Sequence, residues 1–223
     1  MPNNKIRRFL IFRIIEHWLH IIVLSILLIT GFIQKFYNIK IFLWILLQLG
    51  GVDNVRLIHR YFAIVLILSF FLHIIIALNG ALFLKWNFSM FIKKSDFTNF
   101  IHDFKYYMGI INEPAKCDRY TYNQKFEYWG VFISIIIMLS SGLVLWFPIF
   151  VTQFLPGEII AAAKIIHTNQ AIIVFIITLW HIYNAMFNPA VIPLDKSIFT
   201  GYITEDRFLK EHPIEYEKKN LIR

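Results

Sequence analysis

The chain has 223 residues, of which 58% are apolar and 17% aromatic, and its mean hydropathy is +0.60. That composition is too apolar for an ordinary soluble domain, and the length is too short for several, so it implies one integral membrane domain over residues 1–223. The formal charge of +8 does not point to a nucleic-acid partner, because the basic residues flank apolar segments and no nucleic-acid motif accompanies them.

The N-terminal stretch "MPNNKIRRFLIFR" precedes an apolar run in the manner of a signal peptide, but no small-residue cleavage pattern follows, so it reads as a retained signal-anchor. A membrane span needs roughly 20 apolar residues. Runs of that length predict spans at about 14–33, 61–84, 128–150 and 165–187, with a tail over 188–223. A further run, Ile39 to Leu49, is about half the required length and ends at Gly50-Gly51, which predicts an interfacial or re-entrant helix. The expected fold is all-α, an integral membrane four-helix bundle.

Orientation follows from lysine and arginine. The N-terminal flank carries Lys5, Arg7, Arg8 and Arg13; the second loop carries Lys85, Lys93, Lys94, Lys105, Lys116, Arg119 and Lys125; the tail carries Lys196, Arg207, Lys210, Lys218, Lys219 and Arg223. Only Lys35, Lys40, Arg56, Arg60 and Lys164 lie on the other side, so both termini are expected in the cytoplasm. Trp18, Trp86, Trp129, Trp146 and Trp180 fall mostly near span ends, as an interfacial aromatic belt requires. Gly31, Gly130 and Gly142 lie in or at the ends of spans, where close helix packing and cofactor contact explain them equally well.

The feature that carries chemistry is a repeated interval. His59 and His73 lie fourteen residues apart in one segment, and His167 and His181 repeat that interval in another. On an α-helix fourteen residues advance about 21 Å and close almost four turns, so both rings of each pair share a face at two membrane depths. The flanking sequences "RLIHRYFAIVLILSFFLHIIIA" and "KIIHTNQAIIVFIITLWHIYNA" are themselves a local repeat. Ionisable groups inside a bilayer default to function. Neutral imidazole ligates haem iron, and two imidazoles fill both axial positions, which suits passing single electrons. The second and fourth spans run parallel, so spacing alone pairs His59 with His167 and His73 with His181. His17 and His20, in "EHWLH", lie at a depth that reaches the same inner site as His181. The single Cys117 excludes an internal disulfide, a cysteine-ligated cluster within the chain and a covalent C-x-x-C-H haem site.

Several motifs in order, "RIIEHWLH", "RLIH", "NQKFEYWG", "SSGLVLWFP", "KIIH", "HIYNAMF" and the tail "KSIFTGYITEDRFLKEHPIEY", resemble the cytochrome b (gamma) subunit of membrane-bound formate dehydrogenases over nearly the whole chain. That subunit belongs to a wider dihaem cytochrome b family that includes nickel–iron hydrogenase subunits. The resemblance implies two haem b groups, an outer one on His59 and His167 and an inner one on His17 and His181, with His73 the alternative to His17 and His20 the third choice. It also implies a menaquinone site beside the inner haem, in the loop entering the third span. There this chain has "YTYNQK" where the family has a "YNAGQK"-like motif, so the quinone contacts fall to Thr121, Asn123 and Gln124; a polar loop capping a helix is the other reading of these residues.

As partners the resemblance implies an iron–sulfur subunit and a molybdenum or tungsten catalytic subunit outside a bacterial inner membrane. The chain itself carries no site for formate oxidation. A cytochrome b subunit of a nickel–iron hydrogenase or of a thiosulfate or sulfur reductase is the nearest alternative, and a haem-free membrane anchor or proton relay is an alternative of another class.

Overall fold

The computed structural model describes residues 5–83, 88–188, 192 and 194–220. Leu84, the expected end of the second span, and Lys85, Trp86 and Arg223 lie outside the described residues, as does the side chain of Lys219. The chain packs as two compact units, one of Ile15–Asn79 and Val131–Asn184, the other of Met1–Ile14, Gly80–Gly130 and Ala185–Arg223.

Among the described residues four helices are long and apolar enough to cross a membrane, and each begins before the apolar run that predicted it. Helix α1 (Ile11–Lys35) leads to a short α2 (Lys40–Gln48), within the run from Ile39 to Leu49 that predicts a short helix. Gly50 and Gly51, at φ 85° and 93°, then turn the chain into α3 (Val52–Leu82); side chains other than glycine rarely adopt such values. Asp53 in the first turn of α3 complements the helix dipole, and its 31 residues extend about 46 Å. The backbone continues helical past the apolar stretch because its hydrogen bonds stay internal whatever the side chains.

After α4 (Lys94–Tyr107), α5 (Tyr122–Trp146) starts at a polar cap rather than at its first apolar residue. It stops ahead of Pro148, which opens the short α6 (Pro148–Val151). Helix α7 (Glu158–Ile182) passes into a π-helical turn over Tyr183–Phe187. The tail adds α8 (Ser197–Thr200), α9 (Glu205–Glu211) and α10 (Pro213–Asn220).

Within the spanning unit the core is small: Val23 of α1, Leu66 and Phe70 of α3, and Ile135 of α5. Phe32 of α1 meets Phe175 of α7 edge-on at 5.3 Å, and Gln170 of α7 donates to Ser134 of α5 at 2.7 Å. Ile33, Leu46 and Val55 seal α2 against the ends of α1 and α3. The outward side chains are equally apolar, with Ile22, Leu68 and Ile176 each more than half exposed. Water would penalise such a surface; acyl chains do not, so close packing and internal polar bonds hold the helices together.

The terminal unit departs from the all-helical expectation by one small ladder. Strand β1 (Lys5–Arg7) pairs antiparallel with β2 (Tyr202–Thr204), in the register Lys5 with Thr204 and Arg7 with Tyr202. Gly201, at φ 77°, accepts the amides of Arg8 and Phe9, and a Cβ there would stand 2.7 Å from the Phe9 carbonyl. The ladder thus joins the segment before α1 to the segment after α7.

Ion pairs complete this unit. Glu215 of α10 lies between Arg8 at 3.4 Å and Arg119 at 3.1 Å, and Arg8 also donates to the Arg119 carbonyl. His212 is 1% exposed, with Nδ1 2.8 Å from the Asp118 carbonyl; burial, aided by Arg8, holds its pKa down to about 4. Burial and the neighbouring Asp103 and Asp96 push the Cys117 thiol up to about 11, so it is protonated and inert at neutral pH.

Candidate haem-binding site

The spanning unit brings four histidines together in two facing pairs. His59 of α3 meets His167 of α7 with ring centroids 6.3 Å apart and planes at 71°. His17 of α1 meets His181 of α7 at 5.9 Å and 66°. Both pairs use α7, and the fourteen-residue interval from His167 to His181 separates them by about 21 Å along that helix.

His73, which spacing alone sets at the depth of His181, has a partner on α1. Its Nδ1 lies 2.7 Å from the carboxylate Oε1 of Glu16 on α1, while His20 places its own Nδ1 2.8 Å from the Glu16 carbonyl. Spacing placed His73 at the right depth, but which partner it meets depends on the rotation of α3 about its axis, which spacing does not contain.

The first pair is backed by two hydroxyl groups in matching roles. Thr30 of α1 donates its hydroxyl proton to the Ile26 carbonyl at 2.7 Å, so its oxygen accepts from Nδ1 of His59 at 2.8 Å. Ser141 of α5 donates to the Ile137 carbonyl at 2.7 Å and accepts from Nδ1 of His167 at 3.0 Å. With the proton held on Nδ1, Nε2 of each ring keeps its lone pair for a metal. A glycine follows each hydroxyl residue. A Cβ at Gly31 would stand 3.7 Å from Cε1 of His59, and one at Gly142 would stand 3.2 Å from Cε1 of His167. The hydroxyl–glycine step therefore occurs twice, once for each ring.

The residues fit a haem. Imidazoles on opposite sides of one metal, each nitrogen about 2 Å from it, bring their ring centroids to about 6 Å, the spacing of both pairs. Among the described residues no group of three or more His, Cys, Asp or Glu side chains gathers as a metal site. A donor set of two neutral imidazoles suits a metal that brings its own equatorial ligands. The walls around His59 and His167 are mostly apolar, including Leu24, Leu27, Leu66, Ile135 and Val174, with Lys35 and Thr168 the polar exceptions. Thr30 and Ser141 were missed in the sequence; the signal that could have found them is Thr-Gly in one span and Ser-Gly in another.

The residues assigned to quinone lie in the terminal unit, at the start of α5. Thr121 Oγ accepts the Gln124 amide at 3.2 Å and Gln124 Oε1 accepts the Thr121 amide at 3.2 Å, a reciprocal capping box. Asn123 follows in the first turn. Lys125 is drawn inward, with Nζ 2.8 Å from Asp96 Oδ1 of α4 and both side chains buried. The two remaining histidines serve this unit too, His212 as described and His102 through the Glu113 carbonyl.

Comparison with known proteins accords with this architecture. The chain is 24% identical over 208 residues to the formate dehydrogenase cytochrome b556(fdo) subunit of Escherichia coli (strain K12), covering 92% of this chain and 88% of that one. It is 27% identical over 214 residues to the formate dehydrogenase cytochrome b556 subunit of Haemophilus influenzae, covering 93% and 80%. The nitrate-inducible formate dehydrogenase cytochrome b556(Fdn) subunit of Escherichia coli is 21% identical over 202 residues, covering 91% and 86%. The model of the family described as prokaryotic cytochrome b561 matches residues 8–201, most of the chain, and the protein therefore belongs to that family.

Proposed function

We propose that this chain is the dihaem cytochrome b subunit of a formate dehydrogenase, passing electrons across a bacterial inner membrane to menaquinone. Family membership implies haem b. The observation that carries the number two is the pair of facing imidazole couples, spaced alike and set about 21 Å apart along α7. His59 and His167 would hold one haem, and His17 and His181 the other. Haem iron ligated on both faces supplies one-electron transfer. Thr30 and Ser141 keep the proton of their histidines on Nδ1, so Nε2 is presented as a ligand without rearrangement. Gly142 lets the His167 ring approach closer than a Cβ there would comfortably allow, whereas a Cβ at Gly31 would be in ordinary contact with His59.

The basic-residue excess supports a cytoplasmic side for both termini and the loop entering α5, where protons for quinol formation are available. In that loop the quinone contacts are Thr121, Asn123 and Gln124. The cap commits Thr121 Oγ and Gln124 Oε1, so the amide N–H groups of Gln124 are the donors it leaves for a quinone carbonyl. The names of the relatives support a formate dehydrogenase as the partner, and the partners we assign within it are an iron–sulfur subunit and a molybdenum or tungsten catalytic subunit. One observation favours attention to a proton-relay reading as well, the Glu16–His73 contact within the spanning unit.

Reduced-minus-oxidised spectra with haem extraction test the proposal. The expected result is two acid-extractable haems per chain. A single haem, acid-resistant attachment or a haem-free chain overturns it, the last in favour of the relay.

A further inference from the structure

Helix α4 contributes no residue to either histidine pair, yet it carries a row of exposed apolar side chains. One side faces inward, with Asp96 on Lys125 and Asp103 accepting the Ala115 amide at 2.7 Å. Another side displays Phe97, Phe100, Ile101, Phe104 and Met108, three and four residues apart and all more than half exposed. Exposed Lys94 and Lys105 occupy the edge of that stripe.

We propose that α4 is an interfacial lipid-binding helix, its Phe97–Met108 stripe sunk among acyl chains and Lys94 and Lys105 on the phosphates of anionic phospholipid. Two observations select lipid over a protein partner. First, the stripe is continuous with a membrane-spanning helix: Phe97 meets Phe126 edge-on at 5.7 Å, and Phe126 is an outward residue in the first turns of α5. Second, lysines bordering a phenylalanine face are the pattern of helices that lie in the headgroup layer, where the stem stays apolar and the ammonium reaches phosphate. The buried Lys125–Asp96 pair would then fix α4 at the level where α5 enters the bilayer.

Spin labels read this directly. In a Cys117→Ser background the full-length, haem-loaded chain carries one new cysteine at a time, Phe100→Cys, Phe104→Cys or, on the polar side, Ser95→Cys. Each is reconstituted into vesicles of phosphatidylcholine with phosphatidylglycerol. Labels at 100 and 104 should be relaxed several-fold more by oxygen, relative to a water-soluble nickel chelate, than the label at 95. Lys94→Glu with Lys105→Glu should shrink that difference, as should vesicles of phosphatidylcholine alone. Labels at 100 and 104 as open to the chelate as the one at 95 overturn the proposal, and labels shielded from both reagents overturn it in favour of a protein covering. As a check free of these variants, a lipid-borne photoreactive carbene should tag the α4 peptide of the unaltered protein in vesicles; an untagged peptide likewise counts against lipid contact.

Discussion

The two units satisfy their polar groups in opposite ways. In the spanning unit the buried groups are chiefly neutral, hydroxyls that return their proton to a helical carbonyl and imidazoles that lean on those hydroxyls. In the terminal unit they are chiefly charged, with Glu215 between two arginines, Lys125 on Asp96, and Arg207 forked onto Asp195 at 2.9 Å. A bilayer interior cannot hydrate an unpaired charge, so a helix crossing it can keep a reactive group only as a neutral one whose protons are assigned. The contrast teaches that the histidines are poised by neutral neighbours, whereas the termini are clasped by charge, and variants in one unit should leave the other's signature intact.

The largest effect is expected at the ligands. His59→Ala and His167→Ala should each delete the same haem, and His17→Ala and His181→Ala the other, while His73→Ala, on its glutamate, should retain both. Haem content and difference spectra decide this; loss of a haem in His73→Ala with retention in His17→Ala would return the pairing to the one that spacing suggests.

Next comes the clasp. Glu215→Leu strands two arginine side chains, one of them buried, which costs on the order of 3–5 kcal/mol. The C-terminal tail of this variant should be cut by protease at a concentration that spares the unaltered chain, with an unchanged haem spectrum. A displaced spectrum would break the separation of the two units.

Acid should act on the same clasp. His212 has a folded pKa of about 4 against an ordinary 6.5, so the folded state favours the neutral ring and the unfolded state binds the proton first. Its contribution, roughly 3 kcal/mol at neutral pH, is present above pH 6.5 and lost as the pH falls towards 4. Protease sensitivity of the tail should rise across that window, and His212→Gln should flatten the rise.

A smaller effect is expected behind the ligands. Thr30→Val removes the acceptor of the His59 Nδ1 proton, making that imidazole a poorer donor, so one haem midpoint should rise and its binding weaken roughly ten-fold, while Thr30→Ser restores both. Gly142→Ala should disturb that haem more than Gly31→Ala, because the first Cβ would stand 3.2 Å from a ring atom and the second 3.7 Å. Equal effects would mean that the glycines serve only helix packing.

The smallest is Gln124→Leu. It breaks half of a capping box, worth about 1 kcal/mol, and should slow electron transfer to a menaquinone analogue with both haem spectra intact. Thr121→Ser keeps the cap and should react normally; a Gln124→Leu variant with unchanged quinone kinetics would confine this residue to capping.

Much of this was legible in the sequence, and for identifiable reasons. Apolar runs longer than a bilayer requires can only be spans, and the fourteen-residue interval alone sets the two depths at which rings can meet. Helix ends were harder, since α5 begins at the Thr121–Gln124 cap and not at its first apolar residue. The same four residues illustrate the harder problem of role, because a Thr-x-x-Gln pattern serves a helix start and a ligand with the same atoms.

The sequence by itself determined the membrane class, the four spans and the histidines available, because each rests on composition, length or local spacing. Tertiary structure decided which histidines face one another, that Glu16 takes His73, that Thr30 and Ser141 hold the Nδ1 protons, and that the leader pairs with the tail. Periodicity sets where along a helix a side chain lies, but the rotation of each helix about its axis is set by packing against the others, and every one of those contacts depends on that rotation.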